Sequence, residues 1–288
     1  MTSMLLAALV SLSISTGRAA DLASASAARA TPHATAFPGW SPLGAPDDPL
    51  DGLARSDEDL RDAFAAPPSA QWLQRDLRSG DLARELSAIR GASRPHNTDA
   101  IAPISGVLLR LDRPASLRAA AALALGRIHD LVAATSLLEA LKDPDAGVRA
   151  SVALALGRLH ARLAAPDLER QLILDPAWTA RYAAAVALSK FPGADAPLAA
   201  ALAADPAWQV RQQAARSLQF LPTPRAMHAL TRALLDEDAS VRASAAFSLG
   251  EVGGPAERRA LSLAVRVETD PAARLLMNDA ERVALARR

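Results

Sequence analysis

Three groups of side chains recur at fixed intervals and carry chemistry that could bind something. Trp178 and Trp208 each end the run Asp-Pro-Ala-Trp, 30 residues apart, and Tyr182 follows Trp178 by one helical turn. Trp and Tyr dominate protein–protein hot spots, so an edge bearing them could anchor a peptide. They would serve as well in packing between repeats, stacked on Arg181 or Arg211. His129 and His160 share a second slot, three residues after Gly126 and Gly157. Two imidazoles with no carboxylate at a matching helical spacing do not make a metal site. They fit capping of carbonyls near helix ends, and His228 reads as a surface or groove residue.

The third group is the most regular. Arginines stand at Arg118, Arg149, Arg181, Arg211 and Arg242, at intervals of 31, 32, 30 and 31 residues. Six residues before each is an aspartate: Asp112, Asp143, Asp175, Asp205 and Asp236. Seven residues after each is a leucine: Leu125, Leu156, Leu188, Leu218 and Leu249. Glycine follows that leucine at Gly126, Gly157 and Gly250, and Ser189 and Gln219 replace it in the other two units. These charges are predicted to be structural. The Asp-Pro pairs at 143, 175 and 205 read as an N-cap with proline at the first helical position. Each arginine, two turns in, can reach an aspartate of the adjacent unit, which repeated makes an Asp–Arg ladder. The Leu-Gly pair reads as a buried knob followed by a left-handed C-cap.

No pattern for catalysis appears. The chain has no H-E-x-x-H, no P-loop, no G-x-G-x-x-G after a strand and no G-x-S-x-G. No catalytic, cofactor-binding or metal-binding residue is predicted.

The elements that must position these groups are helices. Hydrophobic residues make up 50% of the 288-residue chain but aromatics only 3%, so the apolar content is mostly Ala and Leu, both strong helix formers. Strand signals are sparse. In one unit Val148, Val152, Ala155, Leu156 and Leu159 mark one helical face; a break near Pro166 follows, then Leu168, Leu172 and Ile173 mark a second helix. Another unit repeats this with Val210, Ala214, Leu218 and Leu221, a break at Pro222 and Pro224, then Met227, Leu230 and Leu234. Two helices in about 31 residues cannot bury their apolar faces alone, so neighbours must stack.

The formal net charge is +1, which argues against a chain built mainly to grip a nucleic-acid backbone. Of 32 basic residues only Lys142 and Lys190 are lysines, a skew that reads as the base composition of a GC-rich genome. The chain has no cysteine, which excludes disulfides, thiolate metal sites and covalent cysteine catalysis.

Residues 1–30 read as a signal peptide or disordered leader. Met4 to Val10 is a short apolar run followed by Ala-x-Ala sites such as Ala23-Ser24-Ala25, although the first seventeen residues hold no Lys or Arg. This predicts export, periplasmic or secreted; a cytoplasmic chain with a disordered leader is the other reading. The run is too short to span a membrane. Residues 31–80, rich in Ala, Pro, Ser, Asp and Gly, read as a flexible linker with a short helix around Asp57 to Ala65. Residues 81–288 read as the repeat array, with a degenerate first unit over Asp81 to Leu111 and a capping helix over Asp270 to Arg288.

The pattern Asp-x-x-x-x-Val-Arg-x-x-Ala-x-x-x-Leu-Gly, as it stands from Asp143 to Gly157 and from Asp236 to Gly250, resembles HEAT repeats. It looks like the short kind known as phycobilisome-lyase HEAT-like repeats. The resemblance implies an all-α right-handed solenoid of stacked helical hairpins. It leaves function open, because fold does not imply function. Similar repeats occur in bacterial interaction scaffolds, in bilin lyase subunits and in alkylpurine DNA glycosylases. The expectation is a noncatalytic scaffold whose partner is a protein or peptide, with nucleic acid disfavoured. The alternative is a subunit of bilin-lyase type or a DNA-binding glycosylase. The second helices give the latter little support, since Arg170 stands beside Glu169 and Pro197 to Ala204 carries no charge.

Overall fold

The computed structural model describes residues 70–286, and every regular element in that range is helical. The described residues form two compact units, one ending at Phe191 and the other starting at Pro192. The leader read over residues 1–30, most of the linker and the short helix expected at Asp57 to Ala65 lie outside the described residues.

The first unit contains α1 (Ala70–Asp76), α2 (Leu82–Ala92), a 3-10 turn at Thr98–Ala100 and α3 (Ile101–Leu108). It continues with α4 (Ala115–Ile128), α5 (Ala134–Ala140), α6 (Ala146–Arg158), α7 (Ala165–Leu174) and α8 (Trp178–Leu188). Helix α1 falls inside the stretch read as linker, where it buries Leu73 and packs on α2. In the second unit are α9 (Asp195–Ala204), α10 (Trp208–Leu218), α11 (Pro224–Ala233), α12 (Ala239–Val252), α13 (Pro255–Val267) and α14 (Pro271–Ala286). First helices of successive repeats stack side by side, α4 on α6 on α8 in one unit and α10 on α12 on α14 in the other. Second helices pack against that row, as α7 does on α8 and α11 on α12. This is the α-solenoid architecture, in which the core is shared between neighbours.

The five repeat leucines, Leu125, Leu156, Leu188, Leu218 and Leu249, are each 0% exposed, and Val148, Val152, Val210 and Val241 join them. One expected core residue is not there. Ile173, read as part of the second helix's apolar face, is 60% exposed, while Leu168 and Leu172 of that face are buried as expected.

The glycines after the leucines do not cap helices. Gly126, Gly157 and Gly250 are buried inside α4, α6 and α12. A Cβ on Gly126 would lie 2.8 Å from Ala155 Cα, and one on Gly157 would lie 2.8 Å from Ala187 Cα. A Cβ on Gly250 would meet the Ala280 carbonyl oxygen at 2.6 Å. These glycines let successive first helices touch backbone to side chain. The left-handed conformation expected of Gly126 and Gly157 falls instead on His129, with φ 59°, and His160, with φ 51°, whereas α12 ends on Gly253 in an extended conformation. His129 is the C-cap of α4, and the turn through His160 closes with Ala161 N–H donating to Leu156 O at 3.2 Å.

Candidate functional site

The first helices α6, α8, α10 and α12 begin with the same loop, and the loop is where charge is buried. Asp143, Asp175 and Asp205 are not the helix N-caps expected of them. The caps come two residues later, at Asp145, Ala177 and Ala207. The earlier aspartates close the loop: Asp143 Oδ1 accepts the Asp145 N–H at 2.8 Å, and Asp175 and Asp205 accept from Ala177 and Ala207 at 2.9 Å. Asp236 accepts the Asp238 N–H in the same way, 2.9 Å. Each proline therefore sits inside a turn, where its fixed φ and missing N–H suit the second position.

The repeat arginines link these loops. Arg118 donates through Nε and Nη2 to the two oxygens of Asp143, both at 2.8 Å. Arg149 grips Asp175 at 2.7 and 2.8 Å, and Arg211 grips Asp236 at 2.9 Å twice. The other terminal nitrogen turns back on the arginine's own loop. Arg149 Nη1 donates to Asp143 O at 2.8 Å, and Arg181, Arg211 and Arg242 make the same bond to the carbonyl six residues earlier, at 2.9, 2.9 and 2.8 Å. One guanidinium thus fastens its own turn and the next repeat's carboxylate. The fork geometry of arginine permits this, whereas a lysine ammonium has no such planar set of donors.

Two members of the series depart from the expected pairing. Asp112 takes no part in the row: it is exposed and bonded to Arg110 two residues away. At that junction the charges are exchanged: the buried carboxylate is Glu85, on α2, and it pairs with Arg113 of the loop before α4. At the other end Arg242 has a glutamate partner, Glu268, at 2.6 and 2.7 Å. Glu268 could have been found from its 26-residue offset after Arg242, equal to the Arg149–Asp175 offset.

Burial raises the carboxyl pKa of Asp143, but the Arg118 guanidinium, the Asp145 N–H and Arg149 outweigh it and hold the group below its ordinary 3.8. Asp175 is lowered similarly, burial being overcome by Arg149, the Ala177 N–H and Arg181. Glu268 is lowered from 4.5, with burial overcome by Arg242 and the Asp270 and Thr269 N–H groups. A depressed carboxyl binds fewer protons folded than unfolded, so stability rises with pH across this range. The contribution is complete above the ordinary carboxyl values and is lost as pH falls through the lower folded-state values. Urea midpoints measured from neutral to acid pH should drop in that window. The drop should be smaller in Arg118→Ala/Asp143→Ala, and an unchanged pH profile in that variant would contradict the assignment.

The aromatics sit at the helix starts. Trp178 opens α8 and Trp208 opens α10, in the same position but in different units. Trp178 is 44% exposed, while Trp208 and Tyr182 are half-buried. Trp178 is joined at the α7–α8 corner by Ile173 and Leu174, which is 70% exposed. Three large apolar side chains within six residues of sequence thus face water; sequence reading missed this because it assigned Ile173 to the core. Among the described residues no group of three His, Cys, Asp or Glu could hold a metal ion, and no helix is long and apolar enough to cross a membrane.

The family described as HEAT repeats matches the chain over residues 83–189 and 196–278. Among solved structures, YibA of Escherichia coli aligns at 18% identity over 83% of this chain and 99% of its own, with a TM-score of 0.51. The complex of CpcE and CpcF of phycocyanin lyase from Nostoc sp. PCC7120 aligns at 21% identity over 77% of this chain and 96% of that chain, with a TM-score of 0.48. Human deoxyhypusine hydroxylase aligns at 21% identity over 83% of this chain and 92% of that chain, with a TM-score of 0.38. At 18% identity the likeness to YibA speaks to fold alone. No curated protein matches the sequence.

Proposed function

This chain belongs to the HEAT-repeat family, and from that premise we propose that it is a noncatalytic scaffold that binds a protein partner. The observation that carries the reading is the apolar corner formed by Ile173, Leu174 and Trp178, which the fold leaves in water. Exposed large apolar side chains that cluster mark docking sites more often than they mark idle surface, and tryptophan is the residue most enriched at hot spots. The buried charges already have structural partners, in the Arg–carboxylate row or, for Asp76 and Asp195, in Arg84 and Arg225, so they are not groups waiting for a substrate. Rigid stacking supports the same reading, since a preorganised surface loses little entropy on binding.

The test is affinity capture from native extract with the full chain as bait, beside Trp178→Ala and Trp208→Ala versions checked for equal helicity by circular dichroism. A specific protein held by the parent should be lost from Trp178→Ala, with a cost of about 2 kcal/mol or more, roughly thirtyfold in Kd. A partner retained equally by Trp178→Ala would remove the apolar corner from the binding surface.

A further inference from the structure

Besides that corner, the first unit carries a cleft of about 520 Å³ lined by Ser93, Pro95, His96, Arg127, His129 and Arg158. We propose that this cleft binds an extended acidic peptide, with the Arg127 and Arg158 guanidinium groups taking carboxylates from successive positions along it.

The sequence places the run Arg-x-His three times in register, at Arg94-Pro95-His96, Arg127-Ile128-His129 and Arg158-Leu159-His160. Each falls where a helix gives way to the turn inside its repeat, so stacking lines the runs up along one edge. A backbone bond fixes the first two together: His96 N–H donates to Ile128 O at 2.8 Å, the carbonyl just before His129. All three histidines hold left-handed φ, 63°, 59° and 51°. That region is uncommon for residues other than glycine, and glycine or asparagine would make the same turns. The imidazoles are exposed, so what histidine adds at these turns is a hydrogen-bonding side chain at the rim.

Charge selects the ligand. The lining holds two guanidinium groups and two imidazoles and no carboxylate. Arg127 is half-buried and makes no hydrogen bond or ion pair among the described residues. The carboxylate that follows His129 in sequence, Asp130, is turned to the Val132 N–H at 2.8 Å. A concave surface of one sign concentrates counter-charge, and guanidinium prefers a carboxylate it can grip with two parallel bonds.

Spacing selects the peptide. Packed helices lie about 8–10 Å apart, and three residues of extended chain advance about 9–10 Å. One carboxylate every third residue therefore meets one repeat each. No Phe, Tyr or Trp lines the cleft, so it lacks the broad stacking platforms on which single-stranded nucleic acid is held.

The experiment is fluorescence anisotropy of a labelled repeating Asp-Ala-Ser peptide with the full-length chain, at low and at physiological salt. Binding should weaken with salt and fall by about tenfold or more in Arg127→Glu/Arg158→Glu. His129→Gly relieves the left-handed turn without loss of fold, so it should keep its melting temperature and lose affinity severalfold. Trp178→Ala should keep the peptide, which separates this cleft from the apolar corner. An equal loss in Arg232→Glu, an exposed charge reversal on α11, would reduce the effect to bulk charge and overturn the proposal. So would no binding to the parent chain, or tighter binding of an oligothymidylate of equal charge.

Discussion

Arg118→Ala is expected to destabilise the first unit by about 3–5 kcal/mol, the cost of leaving a buried charge without its partner. Both side chains are nearly out of water, 6% exposed for Arg118 and 2% for Asp143. Removal of the guanidinium leaves the Asp143 carboxylate with the Asp145 N–H alone, and frees the Arg113 carbonyl to which Arg118 also donates. Arg118→Lys should recover only part of the loss, because an ammonium cannot hold two carboxylate oxygens and a loop carbonyl in one plane. Arg118→Met/Asp143→Leu should be milder than Arg118→Ala, since no unpaired charge remains. The measurement is the urea midpoint by circular dichroism, with the slope inspected because repeat arrays need not unfold in one step. A loss under about 1 kcal/mol in Arg118→Ala would remove the buried pair from the account of what holds the repeats together.

Leu156→Ala should cost about 2–5 kcal/mol by opening a cavity in the shared core. Leu156 is 0% exposed, and so are Val152, Leu125 and Leu188, which occupy the same row of first helices. Close backbone approach at Gly126 and Gly157 limits how far α4, α6 and α8 can settle into the gap, which favours the upper part of that range. Leu163, 87% exposed, is the matched control, and Leu163→Ala should change stability by no more than about 0.5 kcal/mol. Equal midpoints for the two variants would contradict the shared-core assignment.

Much of the fold was legible because a repeat states its pattern several times. Helix class, repeat length and the buried leucines follow from apolar spacing and from five arginines at nearly equal intervals. The individual roles were less legible. An aspartate before proline reads the same whether it caps a helix or closes the turn before it, and Asp143, Asp175 and Asp205 do the latter. A glycine near a helix end reads the same whether it turns the chain or admits a neighbour, and Gly157 admits Ala187. Ile173 matched the helical spacing of its neighbours, yet α7 buries Leu168 and Leu172 and leaves Ile173 in water. The basic cleft was not legible because its residues, from Ser93 to Arg158, meet only once successive turns have stacked.

The sequence by itself determined local and periodic properties: the helical class of the array, the length of its repeat, and which repeat leucines lie inside. Those depend on chain spacing and propensity, which act over a few residues. Tertiary structure decided which carboxylate meets which guanidinium, so that Glu85 and Glu268 stand in the row and Asp112 does not. It also decided which apolar side chains stay in water and which three turns come into register around one cleft. Those outcomes depend on distances between residues some 25 to 33 positions apart, and such distances exist only once the helices have stacked.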